Sequence, residues 1–104
     1  MSTSYLFEDR SELDTAVNLW INDEPRATIN YGDINTWDVS AITDFSELFA
    51  SEEFYHLNTF NSDISNWDVS SGTDFSRMFQ WAGRFNQNLD SWNVSNGTNF
   101  TEMF

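Results

Sequence analysis

A chain of 104 residues with four Arg, no Lys and seventeen Asp plus Glu carries a net charge of −13 at pH 7. The acids run through the whole chain, which argues against nucleic acid and anionic membrane surfaces, since both reward clustered Lys and Arg; a solvated acidic surface is the simple reading and a basic partner its alternative. The absence of Cys removes disulfides and thiolate chemistry, while an aromatic content of 17% supplies enough apolar surface for a packed core despite the charge.

In chain order, residues 1–10 bring Tyr5, Leu6 and Phe7 and then an acidic pair, an extended lead-in. This lead-in has neither a basic n-region nor an apolar h-region, and no stretch approaches the roughly 20 apolar residues that span a bilayer. The expectation is a chain without export signal or membrane insertion, cytoplasmic or virion-associated unless it is a fragment of a secreted surface protein. Ser11 with Asp14 resembles a capping box, and Leu13, Ala16, Val17, Trp20 and Ile21 recur at helical spacing. Asn22, Asp23 and Glu24 end that helix, and Pro25 opens a shorter one that stops before Gly32. Residues 1–30 are thus read as an N-terminal helical cap.

From Tyr31 the chain repeats itself. Tyr31–Phe49 reads YGDINTWDVSAITDFSELF, Phe60–Phe79 reads FNSDISNWDVSSGTDFSRMF, and Phe85–Phe104 reads FNQNLDSWNVSNGTNFTEMF. The Trp residues at 37, 67 and 92 are spaced by 30 and 25 residues. The difference lies in the junctions: ASEEFYHLNT separates the first two units, QWAGR the second two. The unit is therefore 25 residues, with residues 31–59 as repeat 1 plus an insertion, 60–84 as repeat 2 and 85–104 as a truncated repeat 3, all within one domain.

Aligned columns carry physical roles. Trp37, Trp67 and Trp92 each stand two residues before Val39, Val69 and Val94, the spacing of one strand face. Phe45, Leu48 and Phe49, with Phe75, Met78, Phe79 and Phe100, Met103, Phe104, stand at i, i+3 and i+4, the face of a short helix with Thr43, Thr73 or Thr98 as its N-cap. The fold class expected is an α/β repeat: a short leucine-rich-repeat-like solenoid of parallel strands and short helices behind the N-terminal cap.

These motifs resemble the short repeats of mycoplasma surface lipoproteins, a family of unknown function grouped with the BspA-like class of leucine-rich repeats. F-N-x-D-I-S-x-W-D-V-S (Phe60–Ser70) and T-D-F-S-x-M-F (Thr73–Phe79), with their equivalents around Trp37 and Trp92, carry the resemblance over most of residues 11–104. It implies a surface or secreted binding role and brings no catalytic residues. Gly72 and Gly97 depart from the branched aliphatic of the family pattern that Ile42 approximates, which implies a thinner core there. Trp81 replaces a small residue.

The Asp columns are the most chemistry-like feature. Asp33 with Asp63, Asp38 with Asp68, and Asp44 with Asp74 have the stacked carboxylates of a Ca²⁺ site or a retaining glycosidase pair. Repeat 3 has Asn88, Asn93 and Asn99 in those places, a swap that turn capping tolerates and a nucleophile or general acid does not. No enzyme, cofactor or metal is expected, Ca²⁺ being the one ion left open. His56 has no second His or Cys at ligand spacing. The expected contacts are with protein. Phe54, Tyr55 and His56 stand on the insertion and Trp81 at the equivalent junction, while Trp92, Val94, Phe100 and Phe104 form a last layer that a copy of the chain or a host assembly would cover. A non-catalytic interaction module that oligomerises or decorates an assembly is the reading, with an adhesin fragment as the alternative.

Overall fold

The two helices form where apolar spacing and local capping agree. In a computed structural model describing residues 4–50 and 60–104, helix α1 spans Arg10–Asn22 and buries Leu13, Ala16, Val17 and Trp20. Its N-cap is Asp9, whose carboxylate accepts the Glu12 N–H at 2.8 Å, rather than Ser11. The two overlapping patterns, Asp9 with Glu12 and Ser11 with Asp14, compete for one start, and the charged acceptor holds it. Helix α2, Glu24–Tyr31, begins at Asp23 with Pro25 in its first turn and ends at Gly32. There φ is +80° and the Gly32 N–H reaches the Thr28 carbonyl at 2.9 Å, a conformation that favours glycine.

The repeats correct the expected fold class. Among the described residues there is no strand and no sheet, so the α/β solenoid of parallel strands is not what forms; besides α1 and α2 there is one 3₁₀ turn, Ile34–Thr36. Successive repeats meet through isolated parallel bridges, Asp44 with Asp74 and Asp74 with Asn99, and Leu6 bridges Asp38 in the same way. The cause is turn chemistry. Asp68 accepts the Ser70 N–H and Asp74 the Ser76 N–H, so the backbone bends twice within each unit before a ladder extends.

The expected short helices are absent for a related reason. Glu47, Arg77 and Glu102 have φ of 59°, 56° and 52°, a left-handed step that stops a helix within one turn. Thr43 is not an N-cap; its carbonyl accepts the Thr73 N–H at 2.8 Å. Turns nonetheless bring Phe45, Leu48 and Phe49 to one side, as a helix would.

Rings hold the repeats in line. Phe45 stacks on Phe75 at 5.5 Å between centroids and 5° between planes, and Phe75 on Phe100 at 5.3 Å and 2°. A second column runs Phe49, Phe79, Phe104 at 5.4 and 5.3 Å, and a third pairs Phe60 with Phe85 at 5.7 Å. Trp37 stacks on Trp67 at 6.4 Å. The Phe rings fill the space expected to be thin at Gly72. A Cβ there would lie 2.5 Å from Cζ of Phe75 and 3.0 Å from the Phe45 ring, so Gly72 is what lets two stacked rings pass over the backbone.

The N-terminal segment covers repeat 1. The Phe7 N–H donates to the Asp38 carbonyl and the Asp38 N–H to that of Tyr5, while Phe7 and Trp20 pack on Trp37 at 5.1 and 5.9 Å. Arg10 donates to the Asp44 carbonyl at 3.1 Å and lies 3.4 Å from its carboxylate. Phe45 and Phe49 are accordingly buried.

Candidate protein-interaction surface

Repeats 1 and 2 bury their columns, whereas repeat 3 leaves its own open. Phe45 and Phe75 are 0% exposed and Phe100 is 42%; Phe49 and Phe79 are 1% and 2% exposed and Phe104 is 74%. Leu89, Trp92, Val94 and Met103 are half-buried against the core. Four of the expected contact residues, Trp92, Val94, Phe100 and Phe104, therefore belong to one layer, Trp92 and Phe104 meeting on Phe79 at 6.4 and 5.3 Å. Trp81 is not part of it. It lies on the junction after Phe79, 52% exposed with φ of 65°. Phe54, Tyr55 and His56 lie outside the described residues.

The backbone of this layer has a direction that side-chain columns do not reveal. Between repeats 1 and 2 the N–H groups of Phe45, Glu47 and Phe49 donate to the carbonyls of Asp74, Ser76 and Met78 at 2.9–3.0 Å. Between repeats 2 and 3 those of Phe75, Arg77 and Phe79 donate to Asn99, Thr101 and Met103 at 2.8–2.9 Å. The equivalent donors in repeat 3, the N–H groups of Phe100, Glu102 and Phe104, make no hydrogen bond among the described residues. The Trp67 and Trp92 indoles donate one repeat back, to Ile34 and Ile64 carbonyls; the matching Leu89 carbonyl accepts the Trp92 N–H alone. Thr43 and Thr73 carbonyls accept from the next repeat, and that of Thr98 does not.

A charged column runs beside these donors. Arg77 lies 3.8 Å from Glu47 and 3.2 Å from Glu102, all three about half exposed. Sequence reasoning missed both the donor row and this alternation. The second was visible as Glu, Arg, Glu in one aligned column; the first had no signal, because every residue but proline carries an N–H.

The Asp columns act on the backbone. Asp33, Asp38, Asp44, Asp63, Asp68 and Asp74 each accept the N–H two residues on, at 2.9–3.0 Å, and Asn88, Asn93 and Asn99 do the same at 2.8–3.0 Å. Ser70 and Ser76, by hydroxyl and then backbone N–H, hold Asp68 and Asp74 below the usual carboxylate range, and the Ser65 N–H does so for Asp63. Among the described residues no His, Cys, Asp and Glu cluster has the arrangement of a metal site, and no buried side-chain N or O lacks a partner. An open cleft of about 460 Å³ holds Asp38 and Asp68 with Asn35, Asn66 and Ser40, both carboxylates engaged by Ser.

A pH dependence follows with a definite sign. A carboxyl whose folded pKa lies below its unfolded value stabilises the fold fully above the unfolded value, and that contribution fades as pH falls from about 5 through the folded value. Asn at Asp68 and Asp74 keeps the acceptor and removes the titration. The Asp68→Asn, Asp74→Asn double variant should show a shallower loss of stability between about pH 5 and 2, read as urea midpoints at several pH values.

Residues 4–104 match the family model described as "Mycoplasma protein of unknown function, DUF285". No curated protein and no solved structure matches the chain. Among the described residues no helix is long and apolar enough to cross a membrane.

Proposed function

Since the chain belongs to the DUF285 family, whose description carries no activity, we propose a function from the open layer: a non-catalytic structural module that binds another protein across repeat 3. Decoration of a larger assembly, a virion among them, and kinship with the BspA-like class are parts of the same proposal. The observation that carries it is the contrast between Phe75 at 0% and Phe100 at 42% exposure in one ring column. Apolar rings beside unpaired backbone donors are the features of a surface that recruits a partner. The absence of catalysis is supported by carboxylates committed to turns, a role that Asn88, Asn93 and Asn99 share.

The test compares the native protein with Phe100→Asp, both taken gently from the cells that make them and sized by light scattering. The native chain should travel in an assembly heavier than 12.1 kDa, and the variant alone should fall back to that mass. Both chains at 12.1 kDa, or both in the same assembly, would remove the proposal. The adhesin reading keeps one foothold, the half-exposed Trp81 on its left-handed turn.

A further inference from the structure

The open layer differs from an ordinary apolar patch in having a polarity, and the polarity restricts what fits. Its donors form a row at alternate residues, Phe100, Glu102 and Phe104. The carbonyl of Phe100 is turned back to the Met103 N–H, and the acceptor left beside the row is the Thr98 carbonyl, which takes no backbone N–H among the described residues. A second copy turned over by a two-fold axis would not set three carbonyls at alternate residues against Phe100, Glu102 and Phe104, as repeat 3 does for Phe75, Arg77 and Phe79. It would also bring two chains of net charge −13 together, at a cost in affinity. A second copy in head-to-tail register would have to present the N-terminal side of repeat 1, and Tyr5–Phe7, α1 and Arg10 already cover it.

What fits is the underside of a repeat of this kind without such a cap. That underside supplies the missing groups: carbonyls at alternate residues, as Asn99, Thr101 and Met103 supply them to repeat 2, and two Phe rings four residues apart. Charge selects further. The column Glu47, Arg77, Glu102 alternates in sign, each contact being between opposite charges, and it ends on a carboxylate. Opposite charges across each contact of the column favour a basic residue on the open side of Glu102, whose carboxylate Arg77 and Gln80 hold from the other. Repeat 3 also lowers the charge that an approaching segment meets, since Asn88, Asn93 and Asn99 stand where repeats 1 and 2 carry Asp.

We infer that the open layer of repeat 3 binds a repeat of the same motif on another protein, one that presents outward carbonyls, Phe in the Phe-Ser/Thr-x-Met-Phe positions, and Arg or Lys at x to face Glu102. This inference rests on the docking function proposed above and narrows its partner class.

The probe is a synthetic peptide with the sequence of Phe60–Phe79, which has Arg at that position, compared with the same peptide carrying Arg77→Glu. Each is titrated into the full chain while the amide resonances of Phe100, Glu102 and Phe104 are followed, and the pair is repeated on the exposed-site variant Glu102→Arg. The Arg peptide should bind the native chain about fivefold more tightly than the Glu peptide, the scale of one exposed charge pair made or reversed. On Glu102→Arg the order should invert. To guard against a short peptide that binds too weakly, both sequences are also fused after Phe104 through a copy of Gln80–Arg84, and exchange of the same three amides is read.

Equal behaviour of the two sequences overturns the inference, as does failure to protect those amides even when fused. A chain that shifts the same three resonances by self-association, with no peptide present, overturns it in favour of a second copy. The docking function is judged separately: if Phe100→Asp still dissolves the native assembly, it survives any of these failures.

Discussion

Phe75→Ala is expected to lower the unfolding free energy by about 3–5 kcal/mol, the range for deleting a buried aromatic ring. Phe75 is 0% exposed and is the middle ring of its column, 5.5 Å from Phe45 and 5.3 Å from Phe100. It also covers the Gly72 backbone at a distance that admits no Cβ. Without the ring, Phe45 and Phe100 have nothing between them, and repeat 3 is left to the exposed backbone hydrogen bonds of that segment and the Phe79–Phe104 stack. A domain of this size has about 5–15 kcal/mol in total, so the loss consumes much of it. Urea unfolding followed by Trp fluorescence measures it. Phe100→Ala, in the same column but 42% exposed, should cost far less. Equal costs would show that the column does not carry the stack.

Trp67→Ala should cost a similar amount, about 3–5 kcal/mol, and by two separable routes. The ring is 3% exposed and packs on Trp37, Phe45 and Phe49 at 6.4, 6.5 and 5.8 Å, while its indole N–H donates to the Ile34 carbonyl at 2.7 Å. Trp67→Phe keeps much of the packing and removes the donor. Its expected cost is about 1–3 kcal/mol, the penalty for a buried polar group that loses a partner. The difference between the two variants in the same urea measurement separates ring from hydrogen bond.

How far these arrangements were legible depended on what kind of spacing carried them. Leu13, Ala16, Val17 and Trp20 spell one helix face and are buried together; only the cap moved, from Ser11 to Asp9. The aligned Trp, Val and Phe columns of repeats 1 and 2 are core residues as their recurrence implies. The error concerned backbone form. Trp67 with Val69 at a spacing of two, and Phe75, Met78 and Phe79 at i, i+3, i+4, fit a strand and a helix, but they fit equally a chain that turns at every Asp-x-Ser.

That Asp-x-Ser spacing occurs at Asp38–Ser40, Asp44–Ser46, Asp68–Ser70 and Asp74–Ser76, and side-chain to backbone bonds there displace the longer ladders. The apolar members of the open layer, Phe100 and Phe104, were visible as the last of their columns. Its donor row was not, because the direction of an N–H follows from the left-handed step at Glu102, which Glu in a sequence does not announce.

The measurement that bears most directly on the docking layer is amide hydrogen exchange on the free chain at low concentration. The account predicts slow exchange for Phe75, Arg77 and Phe79, whose N–H groups are held by repeat 3, and exchange near the unstructured rate for Phe100, Glu102 and Phe104. Protection of the latter three in the free chain would contradict it, since the layer would then already be covered and would have no vacancy for a partner.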